Sequence, residues 1–64
     1  MTYRGWYRKS MTFWRFDARW TIRANIDPRG LRWWVYDGEG ACFEDHGSLD
    51  AAIDYAEGMM EARR

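Results

Sequence analysis

Sixty-four residues make one domain, residues 1–64, and a chain of this size buries only about 60% of the surface its unfolded form exposes, which leaves stability marginal without some aid. The ten basic and ten acidic side chains cancel, yet they are sorted: residues 1–32 carry eight basic and two acidic groups, a net of +6, and residues 33–64 carry the reverse, a net of −6. A lone cysteine, Cys42, excludes a disulfide framework and a multi-cysteine zinc site, and no apolar run approaches the roughly 18 residues of a membrane span.

The opening stretch, Met1-Thr2-Tyr3-Arg4-Gly5-Trp6, has no apolar core of the secretory kind, so the expectation is a soluble protein of the cytoplasm. Five Trp, four Tyr and three Phe supply the packing bulk that a short chain needs. Self-association is the other available aid. In residues 1–10, Tyr3, Trp6 and Tyr7 alternate with Arg4, Arg8 and Lys9, a pattern that suits an edge strand pairing with residues 11–17.

From Thr12 to Ile26 the even positions are Thr12, Trp14, Phe16, Ala18, Trp20, Ile22, Ala24 and Ile26, while Arg15, Asp17, Arg19, Thr21, Arg23 and Asn25 fill the odd ones. Period two marks a half-buried strand with the even side inward. The run exceeds an ordinary strand, so a bend or a break is expected near Asp17-Ala18. Asp27-Pro28-Arg29-Gly30 suits a type I turn. The hairpin it closes should pair Ile26 with Leu31, Ala24 with Trp33 and Ile22 with Val35, because a one-residue slip would split the apolar sides. Asp37-Gly38-Glu39-Gly40 is a second turn, leading into a short strand around Ala41-Cys42-Phe43.

Ser48 stands at a helix N-cap, followed by Leu49, Ala52, Ile53, Ala56 and Met60 at helical spacing. The helix should run over about residues 49–61 and cover the inward side of the sheet, with Gly58 its weak point. The fold class is therefore α+β: a small antiparallel sheet of three or four strands with one C-terminal helix packed on one face.

Asp50, Asp54, Glu57 and Glu61 recur at i, i+4, i+7 and i+11, which gathers them within an arc of about 60° on the helix. Asp37, Glu39, Glu44 and Asp45 extend the acidity through the preceding turn and loop, so eight carboxylates fall within 25 residues. Such a ridge is either a solvated face, eased by Arg64 and neighbouring strand arginines, or a row of anions standing in for phosphates before a basic partner. On the other side of the sheet the hairpin register sets Arg23 opposite Trp34, Thr21 opposite Tyr36 and Asn25 opposite Arg32, with Arg19 nearby. Guanidinium groups among rings suit single-stranded nucleic acid, and equally a dimer face or plain cation–π packing. The balanced overall charge argues mildly against nucleic acid.

No catalytic signature emerges. His46 has only its chain neighbour Asp45, and adjacent loop residues rarely aim at one another. Cys42 reads as a small buried hydrophobe, and the glycine turns lack the strand-to-helix setting of a phosphate loop. We therefore expect a non-enzymatic protein with no metal and no cofactor.

A short chain with a strand-rich body, a single helix and the Asp50/Asp54/Glu57/Glu61 ridge resembles the small inhibitors of phages and mobile elements, anti-CRISPR proteins that mimic DNA among them. That resemblance implies inhibition or modulation of a basic nucleic-acid-handling protein, such as a CRISPR effector subunit, in a bacterial cytoplasm. The stretch from Arg19 to Ala62, strands followed by Ser48-Leu49-Asp50-Ala51-Ala52-Ile53, also resembles the sheet-plus-helix DNA-binding arms of phage integrases. The second resemblance implies direct nucleic-acid binding by Arg19, Arg23, Arg32, Trp34 and Tyr36, and a structural homodimer is the third expectation.

Overall fold

The computed structural model describes residues 1–63. Six strands run β1 (Thr2–Tyr3), β2 (Trp6–Lys9), β3 (Thr12–Arg15), β4 (Trp20–Asp27), β5 (Gly30–Tyr36) and β6 (Cys42–His46), followed by α1 (Leu49–Ala62). Each strand pairs antiparallel with its sequence neighbour, giving one meander in the order β1-β2-β3-β4-β5-β6. The α+β class with a C-terminal helix stands, but the sheet has six strands where three or four were expected. Arg64, invoked above as easing the ridge, lies outside the described residues.

The extra strands come from turns that the composition hides. Tyr3 pairs with Trp6, so Arg4 and Gly5 alone make the first connection, and both have positive φ, 53° and 84°. Positive φ at both central residues matches the twist of a two-residue hairpin. Gly5 adopts it freely, whereas Arg4 does so against the usual preference of a side chain with a Cβ. Residues 1–10 thus form a hairpin, not a single strand.

The second surprise is the phase of β3. Arg15 pairs with Trp20, and the loop between them turns on an Ala18 N–H to Arg15 carbonyl bond of 3.2 Å, with Arg19 at φ 60°. Partners across a ladder share a face, so odd residues of β3 lie beside even residues of β4: Phe13 with Ile22, Trp14 with Thr21. The break falls where it was expected, but the even-inward rule holds only on β4. Phe13 is buried, while Trp14 faces the other side and Phe16, in the loop, is 68% exposed.

β4 and β5 take the register read from the sequence, from Thr21↔Tyr36 to Ile26↔Leu31. Asp27 anchors the tip, its Oδ1 accepting from the Arg29 N–H at 2.8 Å. The helix begins at Ser48, whose hydroxyl accepts from the Ala51 N–H at 3.1 Å. Its inner stripe, Ala52, Ile53 and Ala56, meets Trp6, Phe13, Trp20, Ile22 and Val35 in one core, and Trp33, Leu49 and Met60 pack around it half-buried. Trp33 pairs with His46, near where the chain leaves the sheet for α1. Ile26 and Leu31, further out along the hairpin on the same side, stay 76% and 44% exposed.

Candidate functional site

The helix carries its acidic ridge as expected, but the β1–β2 turn reaches over it. Arg4 lies within 3.3 Å of Asp50, 2.6 Å of Asp54 and 3.4 Å of Glu57. The Tyr3 hydroxyl donates to Asp50 at 2.7 Å, and the Trp6 indole N–H donates to Glu57 at 3.4 Å. Arg15 bridges Glu57 at 3.1 Å and Asp17 at 2.9 Å. The Tyr3 hydroxyl, seconded by Arg4, holds the Asp50 carboxyl below the usual carboxylate range, and the same bond raises the Tyr3 phenol.

The remaining acidic residues do not extend this ridge as one surface. Asp37 is only 8% exposed. Its Oδ1 accepts from the N–H groups of Glu39 and Ala41, both at 2.9 Å, and Arg63 lies 3.3 Å from Oδ2. Burial pushes the Asp37 carboxyl up, but these donors outweigh it and leave the pKa below its ordinary value. Asp37 is therefore committed to its turn. Asp45 accepts from Arg32 at 2.8 Å and Arg29 at 2.6 Å, and the Arg32 bond lowers its pKa first. It pairs with Trp34 and so lies on the sheet side opposite the helix. Glu39, Glu44 and Glu61 are exposed. Asp50, Asp54, Glu57 and Glu61 thus share the helix, whereas Asp37 and Asp45 are held elsewhere by the fold.

The open side of the sheet gathers a different set. Ladder partners place Tyr7, Trp14, Thr21, Tyr36 and Cys42 in one row. Lys9, Thr12, Arg23, Trp34 and Asp45 form the next, with Asn25 and Arg32 beyond. Arg23 lies over the Tyr36 ring, 5.9 Å from its centroid. Phe16 stacks on Trp14 with centroids 6.0 Å apart and planes within 10°, and also meets Tyr7 at 5.9 Å. Arg19, exposed in the β3–β4 loop, borders a shallow cleft lined also by Trp14, Thr21, Arg23 and Tyr36, with Gly38 and Gly40 at the rim.

Of the expected cations, Arg19 and Arg23 are exposed, while Arg32 is half-buried and tied to Asp45. Trp34 and Tyr36 sit where the register put them. Tyr7, Lys9, Trp14 and Phe16 escaped the sequence reading, the first two because residues 1–10 gave no phase and the others because β3 is inverted. Gly5 after a charged residue was the one available signal for the first hairpin.

Cys42 is exposed on this open side and not buried as expected. Burial, and then the neighbouring Cys42 thiol, raises the Tyr36 phenol. His46 ends β6 on the helix side, its ring 4.9 Å from Tyr55, and its Nε2 is enclosed without a hydrogen-bond partner. Asp45 points to the opposite face, as consecutive strand residues do, so the two cannot act as a base and its orienting carboxylate. Among the described residues no group of His, Cys, Asp and Glu is placed to hold a metal ion, and no helix is long and apolar enough to cross a membrane. No protein-family model, curated protein or solved structure matches the chain.

Proposed function

We propose that the protein is a non-catalytic module that binds single-stranded nucleic acid on the open face of its sheet. The observation that carries this reading is the alternation on one solvent-facing surface of Tyr7, Trp14, Phe16, Trp34 and Tyr36 with Lys9, Arg19 and Arg23. Rings accept bases by stacking, and cations meet the phosphates between them. A two-fold homodimer through the same face would set Lys9, Arg19 and Arg23 of one copy against their own copies, and like charges across an interface are repulsive. A polyanion meets no such penalty. The single carboxylate of the two rows, Asp45, is already neutralised by Arg29 and Arg32.

The test is fluorescence anisotropy of a labelled single strand of about a dozen nucleotides. Parent protein should bind, with affinity falling steeply as salt rises, because displaced counterions accompany each phosphate contact. Arg19→Glu/Arg23→Glu should lose at least tenfold at fixed salt. Equal binding by the variant would remove the reading.

A second reading keeps the acidic helix as a decoy for a basic nucleic-acid-binding protein, a CRISPR effector subunit being one such partner. It is favoured by one observation: although paired to Arg4, the Asp50 and Asp54 side chains remain 61% and 69% exposed. A partner's arginines could therefore replace Arg4. Asp50→Asn/Asp54→Asn should then weaken capture of such a partner by tenfold or more while strand binding by the sheet holds. Both readings place the chain in a reducing bacterial cytoplasm.

A further inference from the structure

The open-face cleft has a shape that ordinary surface packing does not require. In the row Tyr7-Trp14-Thr21-Tyr36, three positions are aromatic and one is small. Thr21 is the small one, and it stands on β4 between Trp14 on β3 and Tyr36 on β5. Strands lie about 4.8 Å apart, so the two ring-bearing strands are separated by about 9.5 Å. A planar base held against an aromatic on each side needs two contacts of about 3.5 Å, or roughly 7 Å; two stacked bases would need about 10.5 Å. The gap over Thr21 admits one base and excludes a second.

The walls are braced and charged. Phe16 stacks on Trp14 at 6.0 Å, which fixes that ring from one side. Arg23 lies over Tyr36 at 5.9 Å, so the opposite wall carries a cation within reach of a phosphate attached to the bound base. Arg19 borders the same cleft from the β3–β4 loop, held by a backbone φ of 60°. At the rim, Gly40 has no heavy atom within 4 Å of where a Cβ would stand, so that edge is open for the strand to enter and leave. We infer that the cleft between Trp14 and Tyr36, floored by Thr21 and flanked by Arg19 and Arg23, is a subsite for one unstacked nucleotide of a single strand. This rests on the proposed nucleic-acid reading of the open face and adds to it a defined place where one base inserts.

The probes are two labelled strands of equal charge: one wholly abasic deoxyribose-phosphate strand, and the same strand carrying a single thymine. On the parent protein the added base should tighten binding roughly tenfold, within the range seen for a base stacked on aromatic side chains. Thr21→Phe fills the gap without touching a cation. It should bind the abasic strand as the parent does and lose the gain from thymine. Trp14→Leu, which removes a wall instead of filling the space, should lose the same gain, so the test does not depend on one variant folding. Free thymidine 5′-monophosphate should compete at least tenfold more weakly than the one-base strand. A thymine gain that persists in folded Thr21→Phe and Trp14→Leu would overturn the subsite and leave the face reading standing. Free nucleotide competing as well as the strand would overturn the assignment to a strand. If the parent binds neither strand nor an ordinary oligonucleotide, the face reading and the subsite fall together.

Discussion

The helix ridge and the open sheet face are both dense in charge, and they differ in what their charges already do. On the ridge, Asp50, Asp54 and Glu57 receive Arg4, Arg15, Tyr3 and Trp6 from the sheet. On the open face, Arg23 leans on a ring and Arg19 borders an open cleft. A count of charges along the chain makes the ridge the stronger interaction surface, but the folded distances reverse that ranking. The availability of a charged group depends on which opposite charges the turns deliver to it, and here the Arg4-Gly5 turn delivers one to the ridge.

The largest expected effect removes the platform on which both regions stand. Trp6 is wholly buried and its ring joins the N-terminal hairpin to the core, so Trp6→Ala should cost about 3–5 kcal/mol. In a chain of 64 residues that is expected to abolish the cooperative thermal transition. A variant that melts within a degree or two of the parent would show that the first hairpin is not docked, and the difference between the two regions would lose its cause.

Next in size is the removal of cations from the open face. Arg19→Ala/Arg23→Ala should lower the slope of log affinity against log salt by about two, one for each lost phosphate contact, with little change in melting temperature. An unchanged slope would place the phosphates elsewhere.

A smaller effect tests the ridge through pH. Asp27, Asp37, Asp45 and Asp50 all have carboxyl pKa values lowered by folding. A lowered folded value adds stability that is present above the unfolded pKa of about 3.9 and is lost as pH falls through the folded value. The melting temperature should therefore be level above about pH 5 and decline below about pH 4. Arg4→Ala should shrink that decline, because one of the donors holding Asp50 down is gone, and should lower the neutral-pH melting temperature by only a few degrees. A decline in Arg4→Ala as deep as in the parent would show that Arg4 does not clasp the ridge. Charge reversal at Glu57 is no neutral probe of the ridge. It would set a Lys against Arg4 and Arg15 and remove the acceptor for the Trp6 indole.

Much of the second half of the fold was legible. The β4–β5 register followed from matching apolar sides, and Ser48 with the Leu49 to Met60 spacing located the helix, because both signals are local and periodic. The first hairpin was not legible, since its turn depends on Arg4 adopting a positive φ that its residue type disfavours. The phase of β3 failed for a different reason. Alternation of residue types continues unbroken through Phe16 and Ala18, but a four-residue loop joining Arg15 to Trp20 brings odd beside even, and no propensity records that parity. Arg23, Trp34 and Tyr36 were placed correctly on the candidate face, whereas Trp14 and Phe16 were assigned inward. Arg32 was named without its partner Asp45, as ion pairing across strands depends on the bulged β5–β6 register.

The most direct test of the central claim, that the open sheet face and not the helix is the available surface, is amide chemical-shift mapping of the labelled protein during titration with a short single-stranded oligonucleotide. The account predicts salt-sensitive shifts concentrated at Tyr7, Lys9, Trp14, Arg19, Thr21, Arg23, Trp34 and Tyr36, with Asp50, Asp54 and Glu57 unmoved. Shifts confined to the helix, or none at all at low salt, would contradict it.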